Sequence, residues 1–163
     1  MFRINQHLKR FVNLSLSQKR DICQAMYYLS SMVVQIKIRS LSWFWENSIT
    51  NATSEFDNKL SDKTKAELIN TAQNLHESIR LASRLLPFPC ECVPRSLVLR
   101  DMLQKKGVAA KFQIGVNKEN LSLQSHAWVE VYGEAIGEKD DLKTTFKPIG
   151  YSNKGNRRNK QGK

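Results

Sequence analysis

Cys92 and His126 are the residues of this 163-residue chain best placed to do chemistry. A thiolate is a strong nucleophile, and an imidazole titrating near neutrality is the base that can generate it. Cys92 stands directly before a predicted helix. The first amides of a helix lack intrahelical partners, and its positive dipole end favours a thiolate over a thiol. Arg95 adds positive charge nearby. His126 falls on a predicted strand, with Trp128 two residues on. A Cys on a helix start and a His on a following strand is the arrangement of Cys/His nucleophilic catalysis, which needs a third group to orient the ring. Acids follow His126 at Glu130, Glu134, Glu138, Asp140 and Asp141. Glu138, beyond a turn, can lie beside His126 on a neighbouring strand. Glu130 is four residues along the same strand, too far to hold the ring well. The plainer reading is an inert cysteine beside a helix and a structurally satisfied strand histidine.

Other site chemistries have less to build on. Cys90-Glu-Cys92 could pair at a metal or in redox work, but zinc would need two further ligands and no second cysteine pair exists. His7 and His76 stand isolated in the helical half. No cofactor, ATP or metal site is legible.

The elements that must position the Cys and the His come next. Ser15 and Ser17 offer helix N-caps, with Gln18 placed for a capping box with Ser15. Ile22, Met26, Leu29, Val33 and Ile36 then form one apolar stripe, opposite Lys19, Gln24, Ser31 and Lys37, and the pattern continues loosely through Leu41, Phe44 and Trp45. A polar break spans Asn47 to Asn58. A second helix opens near Ser61, Asp62 or Thr64, with Thr64 and Glu67 as another capping box, and runs along Leu68, Ala72, Leu75, Ile79, Ala82 and Leu86 until Pro87 and Pro89 stop it. Val93 to Lys106 reads as a third helix, with Pro94 in its first turn and Gly107 as its stop. Alternation predicts a strand from Val108 to Gly115, a turn-rich stretch from Asn117 to Ser122, and a strand from about Ser125 to Tyr132. The latter puts Ala127, Val129 and Val131 on one face and His126, Trp128, Glu130 and Tyr132 on the other. Gly133 ends it, and Glu134-Ala135-Ile136 can return as a short third strand. The fold class is α+β with a small antiparallel sheet.

Composition narrows the function classes. The net charge is +11, from 26 Lys and Arg against 15 Asp and Glu. Arg3, Lys9, Arg10, Lys19 and Arg20 lie at one end and Lys154, Arg157, Arg158, Lys160 and Lys163 at the other, so the middle is close to neutral. That speaks against a dedicated nucleic-acid binder. Residues 150–163 read as a disordered basic tail. An odd number of cysteines and no signal peptide point to a reducing cytoplasm. No window is apolar enough to span a membrane. Trp43 and Trp45 near Lys37 and Arg39 fit core packing better than a membrane-surface helix.

Three ordered segments carry a resemblance. Cys92-Val-Pro-Arg-Ser-Leu-Val-Leu-Arg, Lys106-Gly-Val-Ala-Ala-Lys-Phe-Gln-Ile-Gly-Val and His126-Ala-Trp-Val-Glu-Val-Tyr-Gly resemble the transglutaminase-like cysteine protease of lasso-peptide biosynthesis, the stand-alone leader-peptidase half of the lasso maturation B protein. The resemblance is close from about Pro87 to Ile149 and general over the helical half. It implies a helical region at 1–86 and a transglutaminase-like (papain-like) core at 87–149, with Cys92 as nucleophile and His126 as general base. The third member is usually an Asp about twelve residues past the His; Glu138 holds that place here, with Asp140 and Asp141 close behind. Cys90 lies outside the motif. The implied activity is removal of the leader from a ribosomally made precursor peptide, without a cofactor. The implied partners are a small leader-binding protein and an ATP-dependent cyclase. With no room for a separate recognition domain before the helices, the leader is expected to be delivered in trans.

Overall fold

In a computed structural model that describes residues 14–39, 61–119, 122–138 and 142–149, the described residues form three long helices and a four-stranded antiparallel sheet. The helices are α1 (Leu16–Ile38), α2 (Asp62–Leu85) and α3 (Cys92–Lys105). The strands are β1 (Lys111–Glu119), β2 (Ser122–Val131), β3 (Glu134–Ala135) and, after the one-turn helix α4 (Leu142–Thr145), β4 (Lys147–Pro148). They lie in the order β3-β2-β1-β4. The α+β expectation is met. The proposed continuation through Leu41, Phe44 and Trp45, the polar break and the basic tail fall outside the described residues.

Local chemistry sets the helix starts. Ser15 closes the predicted capping box with Gln18, each side chain bonding the other's backbone amide. At α2 the cap is Ser61, whose hydroxyl accepts from the Thr64 amide, so Thr64 serves inside the first turn and the expected Thr64–Glu67 box is not formed. The buried line of α1 is Ile22, Ala25, Leu29 and Met32, turned slightly from the predicted stripe, with Met26 and Ile36 flanking it. Small Ala25 lets a neighbouring element close on this side of α1. In α2 the predicted line holds at Ala72, Leu75, Ile79 and Ala82. These faces, with Leu97, Val98, Leu99, Met102 and Leu103 of α3 and Ala127, Val129 and Val131 of β2, form one hydrophobic cluster. Helices and sheet therefore share a core.

The hairpin is longer than the alternation suggested. Phe112 to Gly115 pairs with Val129 to His126, and the ladder runs on through Asn117↔Gln124 to Glu119↔Ser122. The stretch expected as turn-rich is thus mostly strand, because cross-strand backbone bonds outweigh the weak strand propensity of Asn and Lys where one face meets solvent. Tyr132 and Gly133 take positive φ (50° and 85°) and turn the chain into β3, the geometry of a two-residue hairpin turn. Gly107, φ 75°, ends α3 as expected. Segment α4–β4 was not anticipated. Its chain closes over the second face of the sheet, so Trp128, placed by alternation on the opposite face to Val129, is 1% exposed.

β3 has only two residues, so β2 keeps an unpaired edge beyond Val129. The Val129 carbonyl takes the Ile136 amide at 2.9 Å, and the next carbonyl along that edge, Ala127, accepts the Ser96 hydroxyl at 2.9 Å. This buried bond fastens α3 to the strand residue next to His126.

Candidate active site

The end of α3 and the open edge of β2 define a cleft of about 240 Å³. Cys92 enters from α3, and His126, Ala127 and Val129 from β2. Glu138 enters from the chain just after β3, and His76 and Arg80 from α2. Two residues 34 positions apart in sequence thus line one cavity.

Cys92 is the first residue of α3 rather than the residue before it; Glu91 is the N-cap and makes no side-chain cap bond. The thiol is free and half-buried. Pro94 sits in the first turn, where no amide donor is missed. One turn on from Cys92, Ser96 makes the bond to Ala127, so one short helical segment both presents the sulfur and anchors itself against the histidine strand.

The His126 ring is fixed on three sides. Its Nε2 lies 2.9 Å from Oε1 of Glu138. A carboxylate accepts, so Nε2 carries the proton and Nδ1 is left as the basic nitrogen. Trp128 stacks at 6.3 Å between centroids and 16° between planes, and Phe146 closes at 5.5 Å. Trp128 is tied in turn by its indole N–H, which donates to Glu130 at 3.2 Å. Glu130 therefore holds the tryptophan, and Glu138 the histidine. Asp140 and Asp141 fall outside the described residues.

Gly115, directly across the ladder from His126, makes room for this stack. A Cβ there would lie 2.8 Å from the far edge of the Trp128 ring and 2.9 Å from Phe146 Cβ. Gly137 is the second indispensable glycine. Its φ is 73°, and a Cβ on it would run into the His76 ring. Its amide donates to Gln73 Oε1 at 3.1 Å. Helix α2 therefore grips the turn that presents Glu138.

His76 had been placed in the helical half with no role; the structure brings it into the cleft. No local signal marked it, because its position on α2 reads as one more step along an amphipathic helix. Burial pushes its pKa below the ordinary 6.5, against the opposing pull of Glu77 and Glu138. The sign follows directly. Below about pH 6.5 the unfolded chain takes up a proton that the native state refuses, so this residue lowers stability as pH falls towards its folded pKa. Urea midpoints measured at pH 7.5 and 5.5 are expected to fall less for His76→Gln than for the parent protein. An equal fall in both would remove His76 from this role.

Burial pushes the Cys90 thiol up, with Arg95 opposing, which keeps it protonated and packed against the core. Cys23 is exposed on α1, remote in sequence and element from the cleft. Among the described residues no group of three or more His, Cys, Asp or Glu side chains is arranged to hold a metal ion. None of the described helices is long and apolar enough to cross a membrane.

A thiol on a helix start, an imidazole with one nitrogen engaged by a carboxylate, and a cavity joining them can perform acyl chemistry. In comparisons with known proteins, the family model described as Transglutaminase-like superfamily matches residues 32–150. No curated protein and no solved structure gives a significant match.

Proposed function

From the premise that this chain belongs to the transglutaminase-like superfamily of Cys-based proteases and acyltransferases, we propose that it is a cysteine peptidase that removes the leader from a ribosomally made lasso-peptide precursor. The observation that carries the catalytic part is the 2.9 Å contact of His126 Nε2 with Glu138 beside Cys92 in one cleft. The three motifs beginning at Cys92, Lys106 and His126 support the substrate.

The steps use side chains in the cleft. Glu138 holds the Nε2–H tautomer, so Nδ1 of His126 accepts the Cys92 proton. The thiolate attacks the carbonyl of the last leader residue, and a C–S bond forms. Amides of the first turn of α3 stabilise the oxyanion. The C–N bond breaks as His126 returns its proton to the departing amine. Water, deprotonated by His126, then releases the leader as a free acid and regenerates the thiol. The released core peptide carries the amine that a separate ATP-dependent cyclase would join to a side-chain carboxylate. A leader-binding protein would deliver the substrate in trans.

Mass spectrometry of a lasso precursor incubated with the protein and a leader-binding protein tests this reading. The expected products are two fragments whose masses sum to the precursor plus one water. A product carrying an added amine would make the chain an acyltransferase; no product would remove the substrate assignment. Glu138→Gln is expected to slow cleavage roughly 10²-fold, the order of a lost general-base orientation, while Asp140→Asn changes it little. The reverse ranking would move the acid.

A further inference from the structure

We propose that Arg95 forms a carboxylate-binding subsite beside Cys92, so that the substrate carries an acidic group next to the bond that is cut. This rests on the reading of Cys92 as the nucleophile and deepens it to a substrate class.

The charges of the cleft decide the sign. Glu138 is its one acid among the lining residues, and its carboxylate is engaged by His126. Arg80 is held by Glu77, through bonds from Nε and a terminal nitrogen. His76 is kept neutral by its burial. Arg95 differs. Its Nε donates to the Glu91 carbonyl at 3.2 Å, one turn back on the same helix. That single bond aims the planar guanidinium and leaves the two terminal nitrogens without a hydrogen-bond or ion-pair partner among the described residues. Three residues on from Cys92, Arg95 lies on the same helix face as the thiol, and its charge is felt by both His76 and Cys90. A half-buried guanidinium with two parallel donors is shaped for a carboxylate, which it can take bidentately. A neutral group there would offer those donors no charged acceptor.

Three alkylating probes test this without a known substrate. They are N-iodoacetyl-glutamine amide (neutral), N-iodoacetyl-glutamic acid amide (side-chain carboxylate) and N-iodoacetyl-glutamine (terminal carboxylate). In each the Cys92 thiolate forms a C–S bond as iodide leaves. Rates at Cys92, Cys90 and Cys23 are followed by peptide mass spectrometry. At least one acidic probe is expected to label Cys92 about fivefold faster than the neutral probe, the order of a partly screened charge pair. The faster of the two tells whether a side-chain or a chain-terminal carboxylate fits. Arg95→Gln is expected to abolish the preference, Arg95→Lys to keep part of it, and Arg20→Gln on α1 to leave it intact. An equal rate for all three probes, or a preference that survives in Arg95→Gln, overturns the subsite while selective labelling of Cys92 leaves the peptidase reading standing. Labelling of Cys92 by the neutral probe no faster than Cys23 would overturn that reading, and the subsite with it.

Discussion

Cys92→Ala is expected to end turnover altogether while the protein stays folded. Alanine is a good helix former and suits the first turn of α3, and the thiol is half-buried at the margin of the core rather than within it. The Ser96–Ala127 bond one turn on is untouched, so the helix keeps its place on β2. What disappears is the nucleophile, for which no neighbour can substitute: Cys90 is kept protonated by its burial. Loss of a nucleophile or its base removes on the order of 10⁴-fold or more of the rate in enzymes of this type. His126→Ala is expected to be as damaging as Cys92→Ala, and the double variant no worse than either, because the two act as one unit. Cleavage assays with circular dichroism as a check on folding measure this. A Cys92→Ala protein that still cut at the parent rate would exclude thiol catalysis.

Gly115→Ala is the second large effect, and it acts without touching a reacting atom. The new methyl would meet Trp128 at 2.8 Å and Phe146 Cβ at 2.9 Å, both closer than packed atoms tolerate. Trp128 cannot swing away freely, since it is 1% exposed and its indole is bonded to Glu130. The strain is expected to destabilise the fold by about 1–3 kcal/mol, the usual range for overpacking. The same two rings brace His126, so the imidazole must shift as they yield. Misplacement of a base by about 1 Å can reduce rate on the order of 10²-fold. The signature is a fall in kcat larger than any change in KM, together with a lower denaturation midpoint. A variant that lost stability but kept kcat would show that the stack is packing alone.

How much of this was legible depended on the range of the interactions concerned. Caps, periodic apolar lines and glycine stops are local, so α1, α2 and α3 could be read to within a few residues. The presence of Cys92 and His126 along one cleft, and the contact of Glu138 rather than Glu130 with the ring, were expected from strand geometry and the family resemblance. Three features were not legible. The hairpin's outer half is held by cross-strand bonds, which no single strand reveals. The cover formed by α4 and β4 buries Trp128, which alternation places only on the face opposite Val129. His76 reached the cleft only because α2 packs where Gly137 turns, a contact across 61 residues that periodicity cannot express.

The grip of α2 on the Gly137 turn sets an order of failure. Glu138 depends on a two-residue strand, the Ile136–Val129 bond and one amide bond to Gln73, whereas Cys92 depends on a whole helix sunk in the core. Such thinly tethered segments open locally at a fraction of the free energy that unfolds the rest. Mild warming or dilute urea would therefore unseat the carboxylate first, leaving a molecule whose spectrum is native and whose imidazole has lost its anchor.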